Sequence, residues 1–247
     1  MQYLVFRLYG PMASWGEAAV GGDRPTAQYP GRSAILGLLA AAMGIKRDEQ
    51  DRLVLLANSV HVAVKQLSSG VLMRDYHTAQ VPSQDKKMQH RHRKSELSVH
   101  ESKLNTVLSS RDYRCDGVWV IAISSAPGHD MDLQLLANAL VKPKFTLYLG
   151  RKSCPLATPL MPQLIETDSL KNALDMEFPS LLKSPQEDQS WLHLPRQQHY
   201  YWQGDKQQIH PSSNSVVRTL QRWDEPGNRM KWQFSSRDEH QITINKE

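Results

Sequence analysis

Arginine and lysine side chains in this sequence are concentrated in three short stretches within residues 1–154. The first stretch is a long loop between two apolar runs, residues 2–9 and 34–43. It contains Arg24 and Arg32. A loop of this length is uncommon inside a compact domain and is usually functional. Because guanidinium groups bind phosphate bidentately, the two arginines indicate an anionic ligand; the alternative is a covering loop with solvated charges.

The second stretch, residues 79–103, combines six cationic side chains with three histidines and has almost no large apolar residue. Such a segment cannot bury enough apolar surface to fold alone, so we expect it to project and to be mobile without a partner. Its charge density indicates an arm that becomes ordered on a phosphate backbone, and the competing interpretation is a disordered loop. Directly before it, Arg74, Tyr76 and His77 lie where a strand is expected to end. The candidate phosphate ligands within the arm are Lys86, Lys87, Arg91, Arg93 and Lys94.

The third stretch, residues 142–156, places cations at both ends of a predicted short strand, residues 145–150. Tyr148 lies within this strand. Cations beside an aromatic side chain suit phosphate contacts next to a surface on which a base can stack, although a basic turn at a strand end is the alternative. Residues 150–153 are not a P-loop, since the glycine and lysine spacing of that motif is absent. The polar candidates in this stretch are Lys142, Lys144, Arg151, Lys152 and Ser153.

The charge is distributed unevenly along the chain. Residues 1–154 carry 20 Lys and Arg against 13 Asp and Glu, whereas residues 155–247 carry 10 against 12. Together with an isoelectric point near 9.2, this asymmetry indicates a polyanionic partner that binds the first part of the chain. A hydrophobic content of 40% with 22% charged residues is typical of a globular protein.

Several functional classes are not indicated by the sequence. The longest apolar run, residues 34–43, is about half as long as a bilayer-spanning helix, and no secretory leader is recognisable. We therefore expect a cytoplasmic protein with no membrane partner.

Cys115 and Cys154 lack the CxxC spacing of a metal or redox site and are expected to be reduced thiols. His90 and His92 have no acidic or cysteine partner at ligand spacing, so we expect no metal and no cofactor.

The order of the predicted elements indicates an α+β fold. An apolar strand is followed by a helix that Ser33 caps and Gly44 ends, and then by a second helix capped by Asp48. A hairpin, two further strands, a third helix capped by Asp130 and a last strand follow. The predicted ranges are 2–9, 34–43, 49–58, 61–67 with 71–73, 104–109, 118–124, 131–141 and 145–150. This order is close to βαββαβ, the ferredoxin-like arrangement shared by many proteins that bind single-stranded RNA.

Six segments carry a resemblance to a known family. They are LYGPMASWG at 8–16, RPT at 24–26, YPGRSAILGLLAAAMGIKRD at 29–48, MRDYHT at 73–78, KPKFTLYLGRKSCPL at 142–156 and RDEHQIT at 237–243. In these segments the chain resembles the CasD-type subunits of the type I-E CRISPR Cascade complex, within the RAMP superfamily. The resemblance covers most of residues 1–160. Residues 175–236 are more polar and longer than the family pattern.

The resemblance implies a fold, a function and partners. The fold is a ferredoxin-like (RRM-like, RAMP) domain, residues 1–78 and 104–160, with a projecting basic thumb at 79–103 and a smaller C-terminal β-rich region at 161–247. The implied function is that of a non-catalytic subunit, which binds and caps the 5′ handle of crRNA. It bridges the backbone and large subunits of Cascade for RNA-guided recognition of foreign DNA. Target DNA and the large subunit are both candidate neighbours of residues 175–236.

The candidate RNA-binding residues come from all three cationic stretches and from the base of the implied thumb. In a single-stranded handle, Arg and Lys would contact phosphates while aromatic side chains stack on bases. The full set is Arg24, Arg32, Arg74, Tyr76, His77, Lys86, Lys87, Arg91, Arg93, Lys94, Lys142, Lys144, Tyr148, Arg151, Lys152 and Ser153.

A metal-independent endoribonuclease that processes precursor crRNA is the rival function. The resemblance extends to a related type I-C subunit that cuts RNA with a Tyr, Lys and His set. Tyr76, His77 and Lys86 could supply these groups, since such cleavage needs only a base, an acid and a charge stabiliser. The segments quoted above are those of the type I-E branch, in which a separate subunit processes the RNA. We therefore expect this chain not to be an enzyme.

Overall fold

The computed structural model describes residues 1–17, 19, 21–83, 89–210, 215–228, 231 and 233–245. These residues form mainly antiparallel β-sheets and α-helices, numbered in chain order, which confirms an α+β fold. The strands are β1 (Gln2–Tyr9), β2 (Met12–Ala13), β3 (Asp23–Arg24), β4 (Val60–Ser68), β5 (Val71–Pro82), β6 (Leu104–Cys115), β7 (Val118–Ser125), β8 (Gln163–Glu166), β9 (Gln197–Trp202), β10 (Arg218–Pro226) and β11 (Phe234–Asn245). The helices are α1 (Arg32–Met43), α2 (Gln50–Ser59), α3 (Arg93–Leu97), α4 (Leu133–Val141), α5 (Leu170–Leu174) and α6 (Pro185–Trp191).

Seven strands form one antiparallel sheet in the order β10-β11-β9-β4-β7-β1-β8. β1 lies between β7 and β8, and its side chains are buried on both faces of the sheet. β7 lies between β1 and β4 and is buried in the same way. This double burial explains why both strands are continuous apolar runs in the sequence. The predicted strands at residues 2–9 and 118–124 are confirmed.

Helices cover both faces of this sheet. On one face, Leu39 of α1 and Leu136 of α4 belong to the same buried cluster as Phe6 of β1. On the other face, Leu174 of α5 belongs to a second buried cluster with Val5 of β1. Neighbouring residues of β1 therefore contribute to two different cores, as the alternation of side chains along a strand requires.

The N-terminus of α1 is capped from a distant part of the chain. The sequence predicts Ser33 as the cap, but the helix begins at Arg32, with Gly31 in the N-cap position and no capping side chain there. Instead, the carboxylate of Asp224 in β10 accepts a hydrogen bond from the backbone N–H of Arg32 at 2.7 Å. The predicted end is confirmed, since Gly44 has a left-handed φ of 75°.

Two other helix starts differ slightly from the predicted ones. α2 begins after Glu49 rather than after Asp48. α4 is capped by Asp132, whose carboxylate accepts from the backbone N–H of Leu135 at 2.9 Å, and not by Asp130. In each case a neighbouring acidic residue occupies the cap position, which the sequence pattern cannot resolve.

β5 and β6 form a long antiparallel ribbon that leaves the central sheet, called below the β5–β6 ribbon. The two strands pair from Val71 with Cys115 to Pro82 with Leu104. The core end of β6 also pairs with β2 and β3. The predicted hairpin of residues 61–67 with 71–73 is therefore wrong, because β4 pairs with β7 and β9 instead.

The cationic segment at residues 79–103 contains more regular structure than its composition predicts. Residues 79–82 belong to β5, and residues 93–97 form α3. The side chain of His92 caps α3 by accepting from the backbone N–H of Ser95 at 3.1 Å. The expectation of an arm without strand or helix is wrong for these parts, because strand pairing and a side-chain cap supply hydrogen bonds that composition does not reveal. Residues 84–88 lie outside the described residues.

Residues 145–150 do not form the predicted strand. The segment 142–156 is a compact loop, in which the backbone N–H of Leu149 donates to Cys154 at 2.8 Å and its carbonyl oxygen accepts from Ser14 at 3.0 Å. The edge strand that pairs with β1 is β8, farther along the chain. Leu147 and Leu149 are both buried and alternate with exposed residues, so the loop imitates the period of a strand without belonging to a sheet.

The last three strands extend the central sheet beyond β4. The strand predicted at residues 237–243 is confirmed within β11. In the buried contact between β10 and β11, Arg237 donates to both carboxylate oxygens of Asp224, at 2.7 Å and 3.0 Å. The C-terminal strands thereby fix the carboxylate that caps α1.

The substitution Gly150→Ala is expected to lower the free energy of unfolding by about 2–4 kcal/mol. Gly150 has a φ of 85°, and an added Cβ would lie 1.9 Å from the carbonyl oxygen of Ser14. Urea denaturation followed by circular dichroism measures the loss. Gly128→Ala is the matched control, because Gly128 has a φ of 77° but open space around it. Its loss should be only about 1–2 kcal/mol, and equal losses would contradict a tight contact with Ser14.

Candidate nucleic-acid interface

An arginine at the base of the β5–β6 ribbon is held by a carboxylate directly opposite it. Arg74 in β5 and Asp112 in β6 are cross-strand partners. Nε of Arg74 donates to Oδ1 of Asp112 at 2.7 Å, and Nη2 donates to Oδ2 at 2.9 Å, which makes a bidentate ion pair. The side chain of Arg74 is 63% exposed, whereas that of Asp112 is 9% exposed. The buried carboxylate of Asp112 therefore holds the guanidinium group of Arg74 at the protein surface.

The loop at residues 142–156 brings a second arginine to the same place. The guanidinium carbon of Arg151 lies 4.9 Å from the ring centroid of Tyr113, the neighbour of Asp112 in β6. Nη2 of Arg151 donates to the backbone carbonyl oxygen of Arg24 at 3.2 Å. The third cationic stretch of the sequence thus meets the first loop and the base of the ribbon.

Two arginines of β6 that the sequence patterns did not indicate flank Asp112, and only Arg114 shares its face, whereas Arg111 lies opposite Asp75 on the other face. Arg114 follows Asp112 by two residues and is therefore on the same face of the strand; its Nε donates to the carbonyl oxygen of Ala27 at 3.3 Å. Arg111 is exposed and is the register partner of Arg24 in β3. The signal for both was present as two closely spaced arginines, but the predicted strand ended before them.

Asp112 contacts the guanidinium group of Arg74, and the charges of Arg114 and Arg151 also act on it; we call these three arginines the arginine cluster. The hydrogen bonds from Arg74 lower the pKa of Asp112; burial opposes them, and the charges of all three arginines lower it further. The same hydrogen bonds raise the pKa of Arg74. The carboxylate therefore stays ionised at neutral pH. Together with Asp23, whose charge also acts on Arg74, it sets two negative charges against three positive charges. The remaining positive charge can attract an anion.

Tyr76 and His77 point to opposite faces of the ribbon, because neighbouring residues of a strand alternate. Tyr76 shares a face with Arg74 and is 61% exposed. His77 shares the other face with Asp75, and its Nε2 lies 2.6 Å from Oδ2 of that residue. The structure therefore places an exposed aromatic ring beside the arginine cluster and directs His77 away from it.

Arg32 is not part of this surface. Its side chain is 5% exposed, and its Nε donates to the Glu225 carboxylate at 2.6 Å. Nη1 and Nη2 donate to the carbonyl oxygens of Val60 at 3.1 Å and Ala57 at 2.5 Å. Burial lowers the pKa of Arg32, and the charge of Glu225 opposes that effect. The interpretation of Arg32 as an RNA ligand disagrees with the structure, because its guanidinium group is committed to acceptors inside the protein.

Four other predicted residues lie near Arg151. Arg24 is exposed, and its Nη1 donates to the carbonyl oxygens of Gly21 at 2.6 Å and Asp23 at 2.8 Å. The remaining three are exposed on the same loop as Arg151, and they are Tyr148, Lys152 and Ser153. These four residues extend the polar surface of the arginine cluster at the ribbon base.

Two predicted lysines lie at helix ends instead. Lys142 is the C-cap of α4 and is exposed. The backbone N–H of Lys144 donates to the carbonyl oxygen of Ala42 in α1 at 3.0 Å, and its side chain packs along Gly44. Both cations are near the carboxyl ends of helices, where positive charge is stabilising, so a structural role competes with ligand binding.

The cations of the arm are exposed. Arg91 and Lys94 project from its surface. Arg93 contacts the Glu96 carboxylate through Nη1 at 2.6 Å and the carbonyl oxygen of Gln80 through Nη2, so it ties α3 to β5. The predicted ligands Lys86 and Lys87 lie outside the described residues.

Two features are absent from the part of the chain that the structure describes. No helix there is long and apolar enough to cross a membrane. No group of three or more His, Cys, Asp or Glu side chains there is arranged to hold a metal ion.

A comparison with protein families identifies the chain. Residues 3–238 match the sequence model of the family described as CRISPR-associated protein (Cas_Cas5). The chain belongs to the Cas5 family. This Cas5 protein is 39% identical over 166 residues to the CRISPR system Cascade subunit CasD of Escherichia coli (strain K12). The match covers 64% of the present chain and 69% of CasD.

Solved structures share the fold of this Cas5 protein. A chain of a CRISPR RNA-guided surveillance complex matches with a TM-score of 0.63 and 23% identity, over 99% of the present chain and 90% of that chain. A crystal structure of a Cas protein matches with a TM-score of 0.58 and 22% identity, over 99% and 95% of the two chains. At these identities the likeness concerns the fold, which includes the C-terminal strands as well as the first 160 residues.

The substitution Arg32→Ala is expected to lower the free energy of unfolding by about 3–5 kcal/mol, because it leaves Glu225 and buried carbonyl oxygens without a partner. Chemical denaturation measures this loss. Arg24→Ala, which removes an exposed arginine of the same loop, is the matched control and should change stability by at most about 0.5 kcal/mol. A stable Arg32→Ala variant would show that the buried network does not support α1.

Proposed function

We propose that this Cas5 protein is a non-catalytic, RNA-binding subunit of a Cascade-type complex and that it holds the 5′ handle of crRNA. The observation that carries the proposal is the convergence of the arginine cluster, from two segments far apart in the sequence, beside the exposed ring of Tyr76. The 39% identity to a protein named as a Cascade subunit supports the assignment to that kind of complex.

The proposed binding unit is a ferredoxin-like domain. The strand order β8-β1-β7-β4, with α1 and α2 between β1 and β4 and with α4 between β7 and β8, supports this assignment. We assign the thumb to the β5–β6 ribbon with the segment that joins its strands. Its base is then at Val71 rather than at residue 79, because the ribbon leaves the central sheet there.

RNA binding at the ribbon base follows from the chemistry of the side chains. Arg74, Arg151 and Lys152 would contact phosphates and supply affinity and register. Tyr76, on the same face as Arg74, would stack on a base of an unpaired strand, which is sequence-tolerant because every base has a π-face. Exposed cations farther out on the thumb would add phosphate contacts. His77 and Arg32 are not included in this surface.

The partners proposed are crRNA, the backbone subunit next to the handle and the large subunit. Handle capping and bridging are consistent with a chain that contributes both a cationic ribbon and three C-terminal strands that extend the central sheet. The exposed side chains of Trp191 and Trp223 in the C-terminal part are candidates for protein contacts, because tryptophan is enriched at interfaces. Target DNA is a further candidate neighbour of residues 175–236.

The alternative, an endoribonuclease, is not favoured by the geometry. A general base and a general acid must reach the same scissile phosphate. Tyr76 and His77 diverge to opposite faces of one strand, and His77 is engaged with Asp75. Convergence of these two side chains would require local rearrangement of β5.

The double substitution Arg74→Ala with Lys152→Ala is expected to weaken handle binding and to flatten its salt dependence. The slope of log K against log salt should shrink by about 0.7 for each phosphate that a cation no longer neutralises, hence by about 1.4. The measurement is a fluorescence anisotropy titration of the full chain with a labelled single-stranded RNA from the host's own CRISPR repeat, at several salt concentrations.

The matched control is Lys183→Ala with Lys206→Ala, which removes two exposed cations from the C-terminal part. It lowers the net charge equally but should leave the slope unchanged. If both double variants flatten the slope alike, binding depends on net charge alone and the ribbon base is not the site. If the intact chain binds handle RNA no tighter than a scrambled RNA, handle recognition is wrong.

Repeat RNA is expected to remain uncut when it is incubated with the purified chain in EDTA. The measurement is denaturing gel electrophoresis of end-labelled RNA over several hours. A defined cut at the handle boundary that disappears in Tyr76→Phe or His77→Ala would contradict the non-catalytic assignment. A cut that persists in both variants would point to a contaminating nuclease, which a mock purification detects.

A further inference from the structure

The charge balance of the arginine cluster is incomplete within the described residues. The Asp112 carboxylate accepts two hydrogen bonds from Arg74, and the positive charges of Arg114 and Arg151 also stabilise its ionised form. Nη1 of Arg151 is buried and has no hydrogen-bond partner among the described residues. Guanidinium groups gathered in a partly buried place repel one another, and a buried donor without an acceptor is costly. A further anion at the exposed side chain of Arg74 would offset the remaining positive charge.

Asp112 leaves the outward edge of Arg74 free. A guanidinium group has five N–H donors arranged as a planar fork. The carboxylate occupies one edge of this fork, through Nε at 2.7 Å and Nη2 at 2.9 Å. The opposite edge, with Nη1 and the second N–H of Nη2, faces away from the carboxylate. The side chain is 63% exposed, so a ligand in solvent can reach it. That edge has the geometry for a bidentate contact with a phosphate.

The backbone of Asp112 is fixed by three other segments. The backbone carbonyl oxygen of Asp112 accepts a hydrogen bond from Oγ of Ser14 at 3.0 Å. β6 pairs with β5 on one side and, next to Asp112, with Ala13 and Arg24 of the first loop. Because its backbone is held in the sheet, Asp112 restricts the rotamers that the long side chain of Arg74 can adopt.

We propose that Asp112 is a positioning residue that presents the guanidinium group of Arg74 to one phosphate of the single-stranded RNA backbone. The inference rests on the proposed function and deepens it. Asp112 does not touch the RNA. It aligns Arg74 before binding, so that the ordering of a flexible side chain does not oppose association.

Asp112→Asn separates this proposal from simple electrostatics, because the two make opposite predictions. The substitution adds one unit of positive charge next to the site. If Asp112 only repelled the phosphate, its neutralisation would strengthen binding and steepen the salt dependence. If Asp112 positions Arg74, binding weakens although the net charge has become more favourable.

The expected result is a loss of roughly three- to tenfold in affinity for the labelled handle RNA, which corresponds to ordering one or two arginine side chains on binding. The salt slope should shrink by about 0.7, the value for one phosphate of a single strand that is no longer neutralised. In addition, Arg74→Ala with Asp112→Asn should bind no more weakly than Arg74→Ala alone. A purely structural role for Asp112 would not produce that non-additivity.

Asp75→Asn is the matched control. It removes an acidic side chain from the same ribbon and adds the same unit of charge, but Asp75 lies on the opposite face with His77. Its affinity should equal or slightly exceed that of the intact chain. Thermal unfolding monitors the fold of each variant.

Arg74→Lys decides the question if Asp112→Asn does not fold. It keeps the charge at an exposed position but lacks the planar fork, so it should reproduce the weaker binding. Undiminished binding by Asp112→Asn, or by Arg74→Lys when the former is unfolded, overturns the positioning role while leaving handle binding intact. Failure of the intact chain to prefer handle RNA would instead overturn the proposed function.

Discussion

Strand β6 is the segment on which the geometry of the candidate interface depends. It pairs with β5 along the ribbon and with β2 and β3 where it enters the core. Because side chains alternate along a strand, this register decides that Arg74 lies opposite Asp112. A slip of one residue would place Arg74 opposite Arg111 or Tyr113 and turn Asp112 to the other face. The single register therefore fixes both the ion pair and the face that carries Tyr76.

A second set of buried charges fixes the other end of the first loop. Arg237 donates to Asp224, the residue that caps α1, and its Nη2 lies 2.5 Å from Oε2 of Glu239. The hydroxyl of Tyr29 donates to Oε1 of Glu239 at 2.5 Å, and burial raises the pKa of Tyr29, so the hydroxyl remains a donor. The loop that begins after β1 is therefore anchored by β6 at its middle and by the C-terminal strands at its end. Buried pairs of this kind tolerate the loss of one partner poorly.

Binding and cleavage of RNA make different demands on such a surface. Binding needs cations and an aromatic ring spread along the path of the strand, which a two-stranded ribbon supplies on one face. Cleavage needs an acid and a base that converge on one phosphorus atom. Tyr76 and His77 point to opposite faces of β5. This arrangement suits RNA binding and separates the two groups that RNA cleavage would use. Consecutive residues of a strand point to opposite faces, so their side chains do not act together on one phosphate.

The sequence determined much of the fold and part of the site. Buried strands, the helix that ends at Gly44 and the cationic character of the first 154 residues were readable, since local periodicity and composition express them directly. It also indicated Arg74, Tyr76 and Arg151 as candidate site residues, by charge and by resemblance.

Only the tertiary structure decided which of those residues act together. Arg32 was predicted to lie in the same loop as Arg24, yet its buried guanidinium group is paired with Glu225, almost two hundred residues later. The sequence did not indicate Asp112 as a candidate residue, because its ion pair with Arg74 exists only when β6 pairs with β5. Local sequence specifies the hydrogen-bonding capacity of each side chain, but which partner satisfies it depends on segments brought together by strand pairing and burial, and those contacts have no short-range signature.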